Sequence, residues 1–256
     1  MALLQGLRSL LSLLTRIPVG SQSIDRAAQY FYLVPLIGFI EGFSISLSLV
    51  ILRFICECNL MVSSLYLIVH LVVVGGIHFD GFADYSDVIG SQKRGREAVS
   101  ILKDPRRGTF SIVALVGNFL ISVVSLNNIL ENSASSTNIV PHLISIYVAS
   151  TESMFLTCYI GKEEPYEGMA KLFSKHSKKS GSLVKNLVTY TSLLIALQLL
   201  WRSSVLAIAN VLISAATSVL VSRDADRRVG FVNGDILGFS YEISRVSALV
   251  LTALAA

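Results

Sequence analysis

The chain has 256 residues, of which 53% are hydrophobic and only 15% charged. Soluble domains carry about a quarter charged residues, and here the apolar residues come in long blocks instead of amphipathic stripes, which excludes a soluble globular fold. The net charge of +4 arises from basic residues confined to particular loops, a sign of topology that gives no ground for expecting nucleic acid as a partner.

Taken in chain order, residues 1–17 form a Leu-rich segment that carries Arg8 and Arg16 and is stopped by Pro18. It is too short to span a bilayer and lacks a small-x-small cleavage site, so an interfacial helix is expected and not a signal peptide. An α-helix of about 20 apolar residues crosses about 30 Å of hydrocarbon. Seven such blocks follow, at 31–52, 60–79, 109–130, 139–160, 183–200, 205–221 and 236–256, the fifth and sixth being the shortest. The expected fold is an all-α polytopic integral membrane helix bundle: one domain over residues 1–256, with about seven transmembrane helices and a short N-terminal interfacial helix.

Basic residues orient these spans. Lys93, Arg94, Arg96, Lys103, Arg106 and Arg107 lie between the second and third. Lys162, Lys171, Lys175, Lys178, Lys179 and Lys185 cluster around the fourth-to-fifth connection, and Arg223, Arg227 and Arg228 around the sixth-to-seventh. The alternate loops hold only Arg53 and Arg202. The positive-inside rule then places the N-terminus and every basic loop on the cytoplasmic side of the cell membrane. Cys56, Cys58 and Cys158 are read as small buried thiols, because Cys56-x-Cys58 lacks the second ligand pair of a structural zinc site.

The end of the second block holds the most informative stretch, from Gly75 to Asp87. Asp80, Asp84 and Asp87 stand at i, i+4 and i+7, within roughly 60° of one another on a helix surface. Three like charges on one face at a membrane interface are unfavourable unless a cation holds them together, and oxygen-only ligands suit Mg²⁺ or Mn²⁺. Gly75, Gly76 and Gly81 are expected to let neighbouring helices or a substrate approach closely. Further on, Lys103-Asp104-Pro105-Arg106-Arg107-Gly108-Thr109 sets basic side chains beside a helix start, an arrangement that can hold phosphate or mark only a cytoplasmic helix end. Asn233 and Asp235 open the last block as N-cap candidates. Glu242 lies seven residues beyond Asp235, with Arg245 in reach at i+3. Glu41, Glu152 and Glu242 are intramembrane acids, a class that usually faces a bundle interior or a cavity.

Together these motifs resemble the cobalamin synthases (adenosylcobinamide-GDP ribazoletransferases). The resemblance rests on Gly75, Gly76, His78, Asp80, Gly81, Ala83, Asp84 and Asp87; on Lys103, Asp104, Arg106, Gly108 and Thr109; and on Gly234, Asp235, Gly238 and Glu242. Thr15-Arg16-Ile17-Pro18-Val19 and Pro35-Leu36-Ile37-Gly38 also look like the family. The chain departs from the pattern at Asn233, Phe239, Arg107, Arg245 and Thr151-Glu152.

The resemblance implies that adenosylcobinamide-GDP is joined to α-ribazole or its 5′-phosphate, with GMP released. It implies Asp80, Asp84 and Asp87 as catalytic residues, and these with Asp104 as ligands of a Mg²⁺ or Mn²⁺ cofactor. His78, Lys103, Arg106, Gly108, Thr109, Asn233, Asp235 and Glu242 would then meet substrate and phosphate. The partners expected are the corrinoid and ribazole substrates and membrane lipid, with a second copy of the chain left open. A CDP-alcohol phosphotransferase is the nearest rival, although its Ala-Arg and downstream Asp-rich elements are missing. A transporter using the intramembrane acids is the other, against the absence of a visible repeat.

Overall fold

A computed structural model describes residues 1–20, 23–132, 136–201 and 204–256; Arg202 lies outside them. Among the described residues the secondary structure is helical throughout. The helices are α1 (Ala2–Leu14), α2 (Ile24–Gln29), α3 (Val34–Ile55), α4 (Asn59–Val74), α5 (Ile77–Ser91), α6 (Arg96–Leu102), α7 (Thr109–Asn132), α8 (Ser136–Ile160), α9 (Met169–Ser177), α10 (Ser182–Trp201), α11 (Ser204–Arg228) and α12 (Gly234–Ala255).

Six of these are long and apolar enough to cross a membrane: α3 with the turn before it, α7, α8, α10, α11 and α12. The chain is therefore an all-α, multi-pass membrane bundle. The seventh span departs from expectation. Instead of running straight through residues 60–79, the helix stops at Val74, and α5 leaves at 100° to α4. At about 1.5 Å per residue, the 16 residues of α4 cover about 24 Å, somewhat less than the hydrocarbon core.

The bend is made by two consecutive glycines in the left-handed region, Gly75 at φ 82° and Gly76 at φ 73°. That conformation places a Cβ against the backbone. Gly75 has a second constraint, since a Cβ there would lie 2.5 Å from Arg16 Cγ. The Gly-Gly pair thus serves a turn, not the close helix approach expected from sequence.

Helix α8 is the most buried span and packs against α3, α11 and α12, whereas α10 lies at the periphery. Gly38 and Gly42, four residues apart on α3, take the backbone of α8 into direct contact: a Cβ at Gly42 would sit 2.7 Å from Ile144 Cα, and one at Gly38 2.5 Å from the Tyr147 carbonyl oxygen. Small residues at this spacing are how membrane helices reach van der Waals contact without a hydrophobic driving force. The N-terminal α1, 13 residues long, is too short to span and buries Leu10, Leu11 and Leu14 while leaving Leu3 and Leu4 exposed.

Several polar groups inside the bundle are tied across helices, while both Glu152 carboxylate oxygens are buried without a hydrogen-bond partner. Arg245 Nε donates to Glu242 Oε2 at 2.9 Å, and its Nη2 donates to Asn118 Oδ1 at 2.7 Å and Ser122 Oγ at 3.2 Å. His70 Nε2 lies 3.3 Å from Glu242 Oε1, while His70 Nδ1 pairs with the Tyr147 hydroxyl at 2.9 Å, which in turn meets Tyr66 at 2.9 Å. Tyr241 donates to Glu41 Oε2 at 2.8 Å. Five helices are cross-tied in this way, and Glu242 and Arg245 are fully buried. Breaking such a pair from one side would leave an uncompensated charge in hydrocarbon.

Candidate active site

The site lies where α5 crosses α12. Gly81 of α5 sits against the start of α12, since a Cβ there would fall 2.6 Å from the Asp235 carbonyl oxygen. Gly238 of α12 answers it, with its own Cβ position 2.9 Å from the His78 carbonyl oxygen. This glycine-on-glycine crossing sets Asp80 beside Asn233 and Asp235, and all three line one cavity.

The three aspartates share a face of α5 but have different surroundings. Asp87 is buried, and each of its oxygens accepts a backbone N–H: Oδ2 from Gly108 at 2.8 Å and Oδ1 from Ser111 at 2.9 Å. These are orphan donors at the start of α7, so Asp87 caps that helix from a neighbouring one. Any side chain at residue 108 would run into Asp87, which accounts for Gly108. Because the cap pins Gly108 to α5, the preceding residue is held over the next turns of the aspartate face. There the Arg107 guanidinium bridges Asp80, through Nη2, and Asp84, through Nη1.

The remaining basic motif points elsewhere. Arg106, expected at the diphosphate, is exposed and pairs with its neighbour Asp104, Nη2 to Oδ2 at 2.7 Å, which holds the Asp104 carboxyl down at about 2. Asp104, expected with the metal ligands, is thus engaged outside the Asp80–Asp84 pair. Lys103 lies over the Tyr166 ring at 4.5 Å and lines a separate groove of about 710 Å³ with Arg96, Lys162 and Phe231. Thr109 begins α7 on its exposed side. Glu242, expected at the substrate, is sealed within the bundle network. Asn233 caps α12, accepting the Ile236 N–H at 3.2 Å, and donates through Nδ2 to Asp235 Oδ2 at 2.8 Å.

Two cavities meet at Asp80. One, of about 610 Å³, runs along residues 12–20 and 74–77 and includes Arg16. The other, of about 320 Å³, has an apolar wall of Phe31, Met154, Phe173 and Leu237 and a polar rim of His78, Glu164, Asn233 and Asp235. His78 is buried against the Tyr241 ring, centroids 4.1 Å apart, and its Nε2 has no hydrogen-bond partner. Burial pushes the Glu164 carboxyl up, with the Asp235 charge adding to the effect.

A sequence profile described as cobalamin-5-phosphate synthase matches residues 6–253. The chain belongs to the cobalamin-5-phosphate synthase family. Among similar proteins, the adenosylcobinamide-GDP ribazoletransferase of Fusobacterium nucleatum is 27% identical over 97% of this chain and 96% of its own. That of Halorubrum lacusprofundi is 29% identical over 96% of each chain. That of Clostridium tetani is 30% identical over 96% of this chain and 95% of its own. No solved structure matches. Membership of the cobalamin-5-phosphate synthase family sets aside the lipid head-group transferase and transporter alternatives.

In sequence Arg107 belongs to a basic stretch able to hold phosphate, with nothing to set it on the aspartates, and Glu164 has no role. Arg107 also departs from the family pattern, while Glu164 carries no signal, because nothing in residues 161–168 announces that this loop folds back over the start of α12. Its route is set by backbone bonds, including Val232 N–H to the Lys162 carbonyl at 2.9 Å.

Proposed function

We propose that this chain is an adenosylcobinamide-GDP ribazoletransferase acting at the α5–α12 crossing. A ribose hydroxyl of α-ribazole, or of its 5′-phosphate, attacks the cobinamide-side phosphorus of the diphosphate; the new P–O bond forms as the bond to GMP breaks, and the hydroxyl proton passes to a carboxylate. The observation that carries this reading is the convergence of Asp80 and Asp84 on a single cationic group beside two cavities, in a chain of this family. Two cavities sharing Asp80 suit a reaction with two substrates.

A divalent cation fits this donor set. Mg²⁺ is commonly held by one or two carboxylates together with substrate phosphates, and not by an all-protein cage. Among the described residues no set of three His, Cys, Asp or Glu side chains converges as a metal centre, while Asp80 and Asp84 already share one cation. They would hold Mg²⁺ or Mn²⁺, which when bound neutralises phosphate oxygens and the developing charge on the leaving group.

The chain's own residues supply the rest. Asp87 fixes the start of α7 and with it Arg107. Arg16 brings positive charge to the wider cavity. Asp235 lines the narrower cavity with one oxygen engaged by Asn233, and its other oxygen is the acceptor we assign to the hydroxyl proton. In this reading the bundle lies in the cytoplasmic membrane with the N-terminus and this site facing the cytoplasm, which the placement of the basic loops supports. The test is release of GMP by the purified protein given adenosylcobinamide-GDP, α-ribazole phosphate and Mg²⁺. Absence of GMP from folded protein under those conditions overturns the assignment.

A further inference from the structure

The guanidinium of Arg107 occupies the place between Asp80 and Asp84 that a divalent ion would take. From this geometry we infer that Arg107 is a built-in counter-ion: it holds the aspartate pair together before metal binds, a divalent ion displaces it, and the freed guanidinium then grips the substrate diphosphate. The inference rests on Asp80 and Asp84 being the metal ligands.

Three observations carry it. Arg107 contacts both carboxylates, one through each terminal nitrogen, so the pair and a metal ion compete for the same oxygens. The backbone next to it is pinned, because the Gly108 N–H is held by buried Asp87; a displaced Arg107 can swing only by its side chain and stays within reach of the site. Its side chain is 37% exposed, which leaves room for that movement. By contrast Arg106, one residue away, is engaged by Asp104 and takes no part.

The physical chemistry runs in the same direction. Two carboxylates four residues apart on one helix face repel, and a guanidinium offers the flat two-pronged donor that satisfies both at once. The exchange of a monovalent for a divalent cation is favourable once phosphate oxygens add to the ligand set, so metal and diphosphate bind cooperatively. A planar guanidinium released beside a metal-bound diphosphate is well shaped to bind it in two places.

The test uses detergent-solubilised full-length protein and free Mn²⁺ followed by electron paramagnetic resonance, a readout independent of turnover. Arg107→Leu removes the competitor and is expected to bind Mn²⁺ about fivefold more tightly than wild type, the scale of a partly exposed ion pair. Its melting temperature without metal should fall, and the rise on adding Mn²⁺ should be larger than in wild type. Its KM for adenosylcobinamide-GDP should rise. Arg107→Lys, which keeps the charge but not the two-pronged contact, should bind Mn²⁺ with intermediate affinity and serves if the Leu variant does not fold. Equal or weaker Mn²⁺ binding by both variants, with Mn²⁺ bound by wild type, overturns the displacement and leaves the metal site standing. No Mn²⁺ binding by wild type or by either variant overturns the metal site and the inference together, while GMP release remains the separate test of the reaction.

Discussion

At the level of single residues, the three aspartates of α5 look equivalent in sequence and are not equivalent in space. Asp80 and Asp84 face a cation, whereas Asp87 spends both oxygens on the N–H groups that open α7. Spacing alone places all three on one face; only the position of α7 separates capping from chemistry. Asp80→Asn and Asp84→Asn are each expected to lower turnover by about 100-fold or more, the scale of losing one preorganised electrostatic contact. Their melting temperatures should stay near that of wild type, because a partly exposed ion pair contributes only about 0–1 kcal/mol. Asp87→Ala should instead lose about 1–2 kcal/mol of stability through the missing cap. An Asp87→Ala protein that melts like wild type but releases no GMP would return Asp87 to the catalytic role that the family resemblance implies.

At the level of elements, glycines do two different jobs that a sequence does not separate. Hydropathy runs unbroken through Ile77-His78-Phe79, so the second span reads as continuous to residue 79, and Gly75-Gly76 inside it reads as a packing surface. The positive φ of both residues, a property of the fold and not of composition, turns the chain there by 100°. Helix α5 is thereby redirected onto α12, and the aspartate face, legible from spacing, acquires its partners Asn233 and Asp235. The six unbroken spans were legible because each is a long apolar block; the bend was not, because it costs the hydropathy pattern nothing.

The two jobs predict opposite tolerances. No atom would lie within 4 Å of a Cβ at Gly76, so only backbone conformation restricts that position. Gly76→Asn should retain most activity, since Asn enters the left-handed region more readily than other L-residues. At Gly81 the limit is contact with the Asp235 backbone, so Gly81→Asn should both destabilise, by about 1–3 kcal/mol as overpacking does, and suppress GMP release. Thermal melts and turnover of the two variants, run side by side, check this. Equal losses in both would mean that the glycine crossing does not position the site.

At the level of the whole molecule, the two ends of the bundle differ in charge and in how they are tied. At one end the three basic connections are knit together: Gly95 N–H donates to the Arg228 carbonyl at 2.6 Å, Lys162 N–H to Asp226 Oδ1 at 3.2 Å, and Val232 N–H to the Lys162 carbonyl. The aspartate face of α5 lies beside them through Arg107. At the other end the α3–α4 turn meets the C-terminus of α7, where Arg53 Nη1 donates to Asn59 at 2.6 Å and reaches the Leu130 carbonyl at 3.5 Å, and Asn128 bonds the Ala253 carbonyl at 2.7 Å. An uneven distribution of Lys and Arg between the two ends is what fixes orientation during insertion, and it is the ground for the proposal that the basic end faces the cytoplasm. The protein carries its own reporters of that orientation. Of the three thiols expected to be buried, only Cys158, within α8, is; Cys58 is exposed and Cys56 half-buried, because both fall in the α3–α4 turn, at the end opposite the basic loops. A membrane-impermeant maleimide applied to right-side-out vesicles should therefore modify Cys58, with or without Cys56, and spare Cys158. In a Cys56→Ser, Cys58→Ser background, a cysteine placed at Lys93 or Lys179 should label only after the membrane is permeabilised. Labelling of either loop position in sealed vesicles would invert the molecule and move the site to the outer face. Cys58 labels without any substitution, so that arm of the experiment cannot be ascribed to a misfolded variant.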